Sequence, residues 1–246
     1  MERQIKKDDR YRNVLLVTQI IYILFGIGIA VVGILYHSAY TALNAMGTLL
    51  FVPALALVRH FCRIQGGYQL ETYLYFFTFL SWTLGGAGSV YGLLPGYDKV
   101  VHCLSGLFVS IFALALYRIL EGKHSREGEN PATACVFVFA ASMAVAGIFE
   151  LIEYTLAPIM GRDLQHVQDT GVGDTMQDML VCLVGTIVFI FLMIRNIHGK
   201  HDPFTDSAEV FAWRNSGERR KIFLSGKNQK ANAVSAEEEE KGCSKV

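Results

Sequence analysis

Glu150 and Glu153 interrupt a run that is otherwise free of charge from Ala132 to Met160. A carboxylate inside a segment long enough to span a bilayer costs at least ~2.5–3.5 kcal/mol on insertion scales. Two of them one helical turn apart share a face, which makes them candidates for function before packing. Further ionisable residues gather at the ends of neighbouring apolar stretches. Asp98, Lys99 and His102 open one, and Asp163, His166, Asp169, Asp174 and Asp178 lead into another. Asp98 and His102 are spaced i,i+4, as are Asp174 and Asp178, so each pair can also share a face.

The three pairs, if turned inward together, offer one imidazole and up to five carboxylates. Such a cluster needs bound cations, protonated acids, or the neighbouring Lys99 and Arg162. A divalent metal is the simplest compensation, and His102, Glu150, Glu153, Asp174 and Asp178 are its candidate ligands. Mixed oxygen and imidazole donors suit Mg²⁺, Mn²⁺, Fe²⁺ or Zn²⁺ without choosing among them. His102, oriented by Asp98, is placed to move a proton near neutral pH, which puts Asp98, Lys99 and His102 among the candidate catalytic residues. Lys99 and Arg162 would meet phosphate oxygens, with Asp169 beside them at a substrate site.

Each group could instead be structural. Asp98 and Asp174 could be N-caps of the helices they precede, favoured by backbone N–H groups and the helix dipole. His102 could be a satisfied core histidine, and Asp163 and His166 ordinary loop residues. Glu150, Glu153 and Asp178 resist capping, and as structural groups they would pair with Lys99 or Arg162 in a buried ion cluster.

The elements that must position these residues are membrane helices. Of 246 residues 52% are hydrophobic and 18% charged, with a mean hydropathy of +0.34, which is too apolar for an ordinary soluble domain. Six stretches approach the ~20 apolar residues that cross the hydrocarbon as a helix. They are Val14–Tyr36, Thr41–Val58, Gln69–Leu94, Val100–Leu120, Ala132–Ile159 and Met176–Ile194. In the third, Gly85, Gly86 and Gly88 can either unwind the helix or let a neighbour approach closely. The reading is an all-α polytopic membrane protein, a six-helix transmembrane bundle over residues 1–198. Residues 199–246 read as a polar, largely disordered cytoplasmic tail.

Of the 22 Lys and Arg residues, all but Lys99 and Arg162 fall on one side of this six-span model. The positive-inside rule then puts both termini in the cytoplasm, and the acidic and histidine residues at the outer face. Tyr36, Tyr40, Tyr91, Tyr97 and Tyr154 fall near the outer ends of their spans, where amphipathic rings favour the interface. The cysteines form no disulfide framework, and no nucleotide loop, haem motif or nucleic-acid patch is evident.

Three motifs carry a family resemblance: Asp98-Lys99-x-x-His102; Phe149-Glu150-x-x-Glu153-Tyr154; and Gln168-Asp169-Thr170-Gly171 followed by Asp174-Thr175-x-Gln177-Asp178-Met179. In these the chain resembles the YjdF-type bacterial inner-membrane proteins and, more distantly, VanZ-like proteins, which share the first motif and differ in the later two. The resemblance implies a multi-pass protein of the bacterial cell membrane and one site built from all three motifs. VanZ-like proteins are associated with glycopeptide resistance at the cell envelope, and neither family supplies a reaction. The leading expectation is a divalent-metal-dependent enzyme or binding protein. It would act at the outer leaflet on a lipid or a lipid-linked envelope precursor. A proton- or cation-coupled transporter is the rival; the absence of ionisable groups from Cys103 to Tyr117 speaks against two-sided access. A structural bundle with a buried ion cluster is the third.

Overall fold

The structure is a computed structural model that describes residues 1–122, 129–161, 163–165 and 170–216. Among these, all regular structure is helical: α1 Glu2–Leu35, α2 Ala39–Phe61, α3 Tyr68–Thr78, a π-helical segment Phe79–Ala87, α4 Val90–Leu93, α5 Tyr97–Leu120, α6 Pro131–Met160, α7 Gly173–Ile197 and α8 Pro203–Asn215. Five of them, α1, α2, α5, α6 and α7, are long and apolar enough to cross a membrane.

The expected third span is not one continuous helix. An 11-residue α-helix passes directly into 9 residues of π-helix, and the chain then breaks at Gly88 and Ser89, where Ser89 is left-handed at φ 60°. Gly85, Gly86 and Gly88 fall at the end of this segment, where they hold a helical ladder weakly and the chain breaks. Tyr68 begins this stretch at the end of the bundle that holds the chain start, and Tyr97 opens α5 at the opposite end. The hydroxyl of Tyr97 reaches back to the Leu80 carbonyl at 2.9 Å.

Local signals account for three of the helix starts. Ser38, Asn130 and Asp202 cap α2, α6 and α8 through side-chain oxygens, and Pro131 and Pro203 occupy first-turn positions where a missing N–H is harmless. Helix α3 has no cap of its own. Asp8 of α1 supplies it across the bundle, accepting from Gln69 N at 2.8 Å and Tyr68 N at 3.2 Å. Neither Asp98 nor Asp174 is an N-cap: α5 is capped at Gly96 and α7 at Val172, and both aspartates lie within the first turn.

Two apolar clusters hold the helices. Tyr22, Phe51 and Tyr75 pack against one another among α1, α2 and α3, with ring centroids 5.4–5.9 Å apart. The larger cluster joins α3, α5, α6, α7 and α8 through Leu70, Phe108, Ile111, Leu114, Val138, Phe189, Met193 and Ala208. Helix α5 is the hub, with half of its most apolar window buried against 11–17% for α1, α2 and α6, whose large apolar side chains face outward.

Helices α5 and α7 run parallel and touch backbone to backbone. A Cβ on Gly106 would collide with the Cys182 carbonyl oxygen, and one on Gly185 with the Cys103 carbonyl oxygen. Only hydrogen fits at either position, so two glycines set the approach of the two helices, as small residues do in membranes. Ser142 of α6 locks the pair, meeting Thr186 Oγ1 at 2.8 Å and donating to the Gly106 carbonyl at 3.3 Å.

Polar composition after residue 199 predicts a largely disordered extension; within it Pro203–Asn215 form a helix that buries Ala208, Val210 and Ala212. Apolar residues at helical spacing draw it onto the bundle end. Residues 217–246 lie outside the described residues.

Candidate functional site

Because α5 and α7 are parallel and in close contact, their first turns meet at one end of the bundle. There the Lys99 ammonium donates to Asp174 Oδ1 at 2.5 Å and Asp178 Oδ1 at 2.7 Å, with Asp98 Oδ2 at 3.3 Å. One turn deeper, His102 Nε2 lies 3.4 Å from Asp98 Oδ1 and 4.0 Å from Asp178 Oδ1. Exposure falls with depth, from 35% for the Asp98 side chain and 25% for Lys99 to 14% for Asp174, 12% for His102 and 3% for Asp178. The cluster is thus most exposed at Asp98 and Lys99 and most buried at Asp178.

Asp98, His102 and Asp178 each present a donor atom within 4.8 Å of the other two. Two carboxylate oxygens and an imidazole nitrogen form a donor set that first-row divalent ions accept. Asp174 belongs to the same cluster through Lys99 and lies outside this triplet.

The two glutamates approach from α6. Glu150 is buried, and its carboxylate and backbone carbonyl both accept from Gln165 Nε2 at 3.1 Å. The loop after α6 thus folds back onto Glu150, which is not part of the donor triplet. Glu153 lies within electrostatic range of His102, Asp98 and Asp178, and among the described residues nothing hydrogen-bonds to it. The Phe149 ring stands edge-on to the His102 imidazole with centroids 5.9 Å apart, walling the α6 side. On another side Tyr91 and Tyr97 stack edge to face at 5.5 Å. Arg162, His166 and Asp169, also expected here, lie outside the described residues, and Asp163 falls in the described part of the loop after α6.

Below His102 the interior stays polar for two turns. Ser105 donates to the His102 carbonyl at 2.7 Å and meets Cys182 Sγ at 3.7 Å, and Ser142 and Thr186 follow. The path then closes on Ile111, Leu114, Phe189 and Met193, all fully buried. From Thr186 to Met193 this apolar belt is about 10 Å deep at the helical rise.

A second polar assembly occupies the opposite end. Arg214 of α8 donates to Asp9 at 2.8 Å and to the Gly66 carbonyl at 3.0 Å, pairs with Asp8 at 2.8 Å, and stacks over the Tyr68 ring. Arg59 pairs with Glu71 at 2.9 Å, and Gln4 donates to Asp206 and Glu209. Arg118 and Glu129 form a fully buried ion pair at 2.9 Å. Sequence reasoning misses these residues because nothing separates Asp8 from the other charges at the chain start. It also passes over Gly106 and Gly185, whose signal is present as lone small residues within apolar spans.

The architecture and the site define a polytopic helical membrane protein with a mixed acid, histidine and lysine cluster at one end of its central helix pair. A family model described as "Predicted membrane protein (DUF2238)" matches residues 17–198, which include every helix of the site, and the chain belongs to that family, the YjdF-type proteins. No curated protein and no solved structure matches it.

Proposed function

We propose that this chain is a multi-pass protein of the bacterial inner membrane whose cluster opens at the outer face and binds a divalent cation there. Through that cation it acts on the phosphate-bearing head of a lipid or lipid-linked envelope precursor. The convergence of Asp98, His102 and Asp178 within 4.8 Å, beside Lys99 and Asp174, carries the reading. Its orientation draws on the charge distribution: Arg59, Arg118 and Arg214 lie at the end opposite Lys99. A sixth crossing through Tyr68–Ala87, with both termini cytoplasmic, is part of the proposal.

In this reading Asp98, His102 and Asp178 hold the ion, while Asp174, Glu150 and Glu153 surround it with further negative charge. The ion would polarise a phosphoryl oxygen, and Lys99 and Arg162 would contact the others. The Nε2 of His102 can bind metal or carry a proton, but not both at once. With the metal in place, acid–base work passes to a neighbouring carboxylate such as Glu153. Closure of the polar path on the belt at Phe189 and Met193 favours a one-sided site over a transport pathway.

A structural ion cluster is the second reading, and the direct Lys99 contacts favour it, since one ammonium already links the first turns of α5 and α7. Elemental analysis of protein purified in mild detergent without chelator separates the two. Run beside His102→Ala and Asp178→Asn variants of checked thermal stability, it is expected to give near-stoichiometric divalent metal in the parent and loss in both variants. Absence of metal in the parent, after reconstitution with Mg²⁺, Mn²⁺, Fe²⁺ and Zn²⁺, would sink the metal reading and leave the structural one.

A further inference from the structure

A divalent ion at this site must contend with the cation already there. Lys99 Nζ is 2.7 Å from Asp178 Oδ1, the same oxygen that stands 4.0 Å from His102 Nε2. Metal–oxygen bonds are about 2.0–2.6 Å long, so an ion bound between Asp178 and His102 would sit in near contact with the ammonium. Like charges at that separation in a half-buried site repel strongly. The two cations cannot share this oxygen of Asp178.

We propose that Lys99 is a tethered competitor for its own site, and that the cluster exchanges the ammonium for a divalent ion. The inference rests on the metal reading above. Without metal, the ammonium holds Asp98, Asp174 and Asp178 together and keeps the facing first turns of α5 and α7 from repelling each other. When metal enters, Lys99 leaves Asp178. Its side chain is 25% exposed, it lies in the first turn of α5, and its four-carbon stem can swing the charge outward. No bond is made or broken in the exchange; one ammonium–carboxylate contact is replaced by metal coordination. The displaced ammonium arrives at headgroup depth, where it meets an anionic phosphate. Metal entry thereby prepares the anion contact, and the ligands bind in order, cation first. Lysine suits this exchange better than arginine, whose planar fork would hold Asp174 and Asp178 more rigidly.

Equilibrium dialysis of Mn²⁺ and Zn²⁺ against the full chain in mild detergent, for the parent, Lys99→Gln, Lys99→Arg and Asp178→Asn, tests the exchange. Lys99→Gln is expected to bind metal about tenfold or more tightly than the parent, Lys99→Arg no more tightly, and Asp178→Asn weakly or not at all. A parent that binds while Lys99→Gln binds equally or less tightly overturns the proposal and leaves the metal reading standing. Failure of the parent and of every Lys99 variant to bind overturns both. A measurement on the unmutated chain guards against misfolding of a variant: labelling of Lys99 by an amine-reactive reagent, read by mass spectrometry, should rise when Zn²⁺ is added. Unchanged labelling at saturating metal also overturns the exchange.

Discussion

The two ends of the bundle bury charge in opposite ways. At the end holding α8, Arg59 faces Glu71, Arg118 faces Glu129, and Arg214 joins Asp8 and Asp9, while two backbone N–H groups complete Asp8. At the other end three aspartates converge on one lysine, with a histidine and two glutamates beside them. The first arrangement answers each cation with a carboxylate and ties the helices of that end to one another. Among the described residues the second leaves an excess of carboxylate at the helix ends. Buried charge that is paired off serves assembly; buried carboxylate left in excess needs a proton or a further cation.

That contrast is broken if substitutions at the two ends behave alike. The largest stability effect is expected at Arg118–Glu129, whose side chains are fully buried. Glu129→Ala alone should destabilise the protein by about 3–5 kcal/mol, and a joint Arg118→Met/Glu129→Leu replacement should recover most of it. Denaturation in mixed micelles reads both, and full metal binding in the double variant would confirm that this end carries no ligand role.

Next comes Asp8→Asn, which weakens the Arg214 pair and the cap of α3 and should cost about 1.5–3 kcal/mol by the same assay, with metal content unchanged. Gly106→Ala spans the contrast, since added volume forces α5 from α7. A loss of about 1–3 kcal/mol is expected together with weaker metal binding, because the first turns of both helices move with it. The smallest stability effect should come from Asp98→Asn, whose side chain is 35% exposed. A change of no more than about 1 kcal/mol is expected, with metal affinity reduced about 10–100-fold. Should Asp98→Asn destabilise as much as Asp8→Asn and leave metal unchanged, both ends are structural and the contrast fails.

Much of the site is legible in the sequence. Asp98, Lys99, His102, Asp174 and Asp178 stand out because ionisable groups at the margins of apolar spans are costly to keep there without a role, and the structure brings all five together. Glu150 is equally conspicuous, but its partner Gln165 is a neutral loop residue that no charge or periodicity argument selects. The capping role open to Asp98 and Asp174 in the sequence fails because the caps fall at Gly96 and Val172, a displacement within the ordinary uncertainty of helix ends. Arg214 and Arg118 are hidden among the basic residues that the positive-inside count takes as a group, and Asp8 among the mixed charges of the chain start.

By itself the sequence determined the apolar helices, their approximate limits and the clustering of acids at span ends. These follow from local quantities: hydrophobic length, helical spacing and the expense of charge in hydrocarbon. Only the tertiary structure decided that α5 and α7 lie parallel and in backbone contact, that one ammonium gathers three aspartates, and that α8 closes the opposite end. Each depends on which surfaces meet, and contact between segments far apart in the chain leaves no periodic trace along it. The π-helical stretch lies between these cases, since its glycines announced weakness while its neighbours chose the form that weakness took.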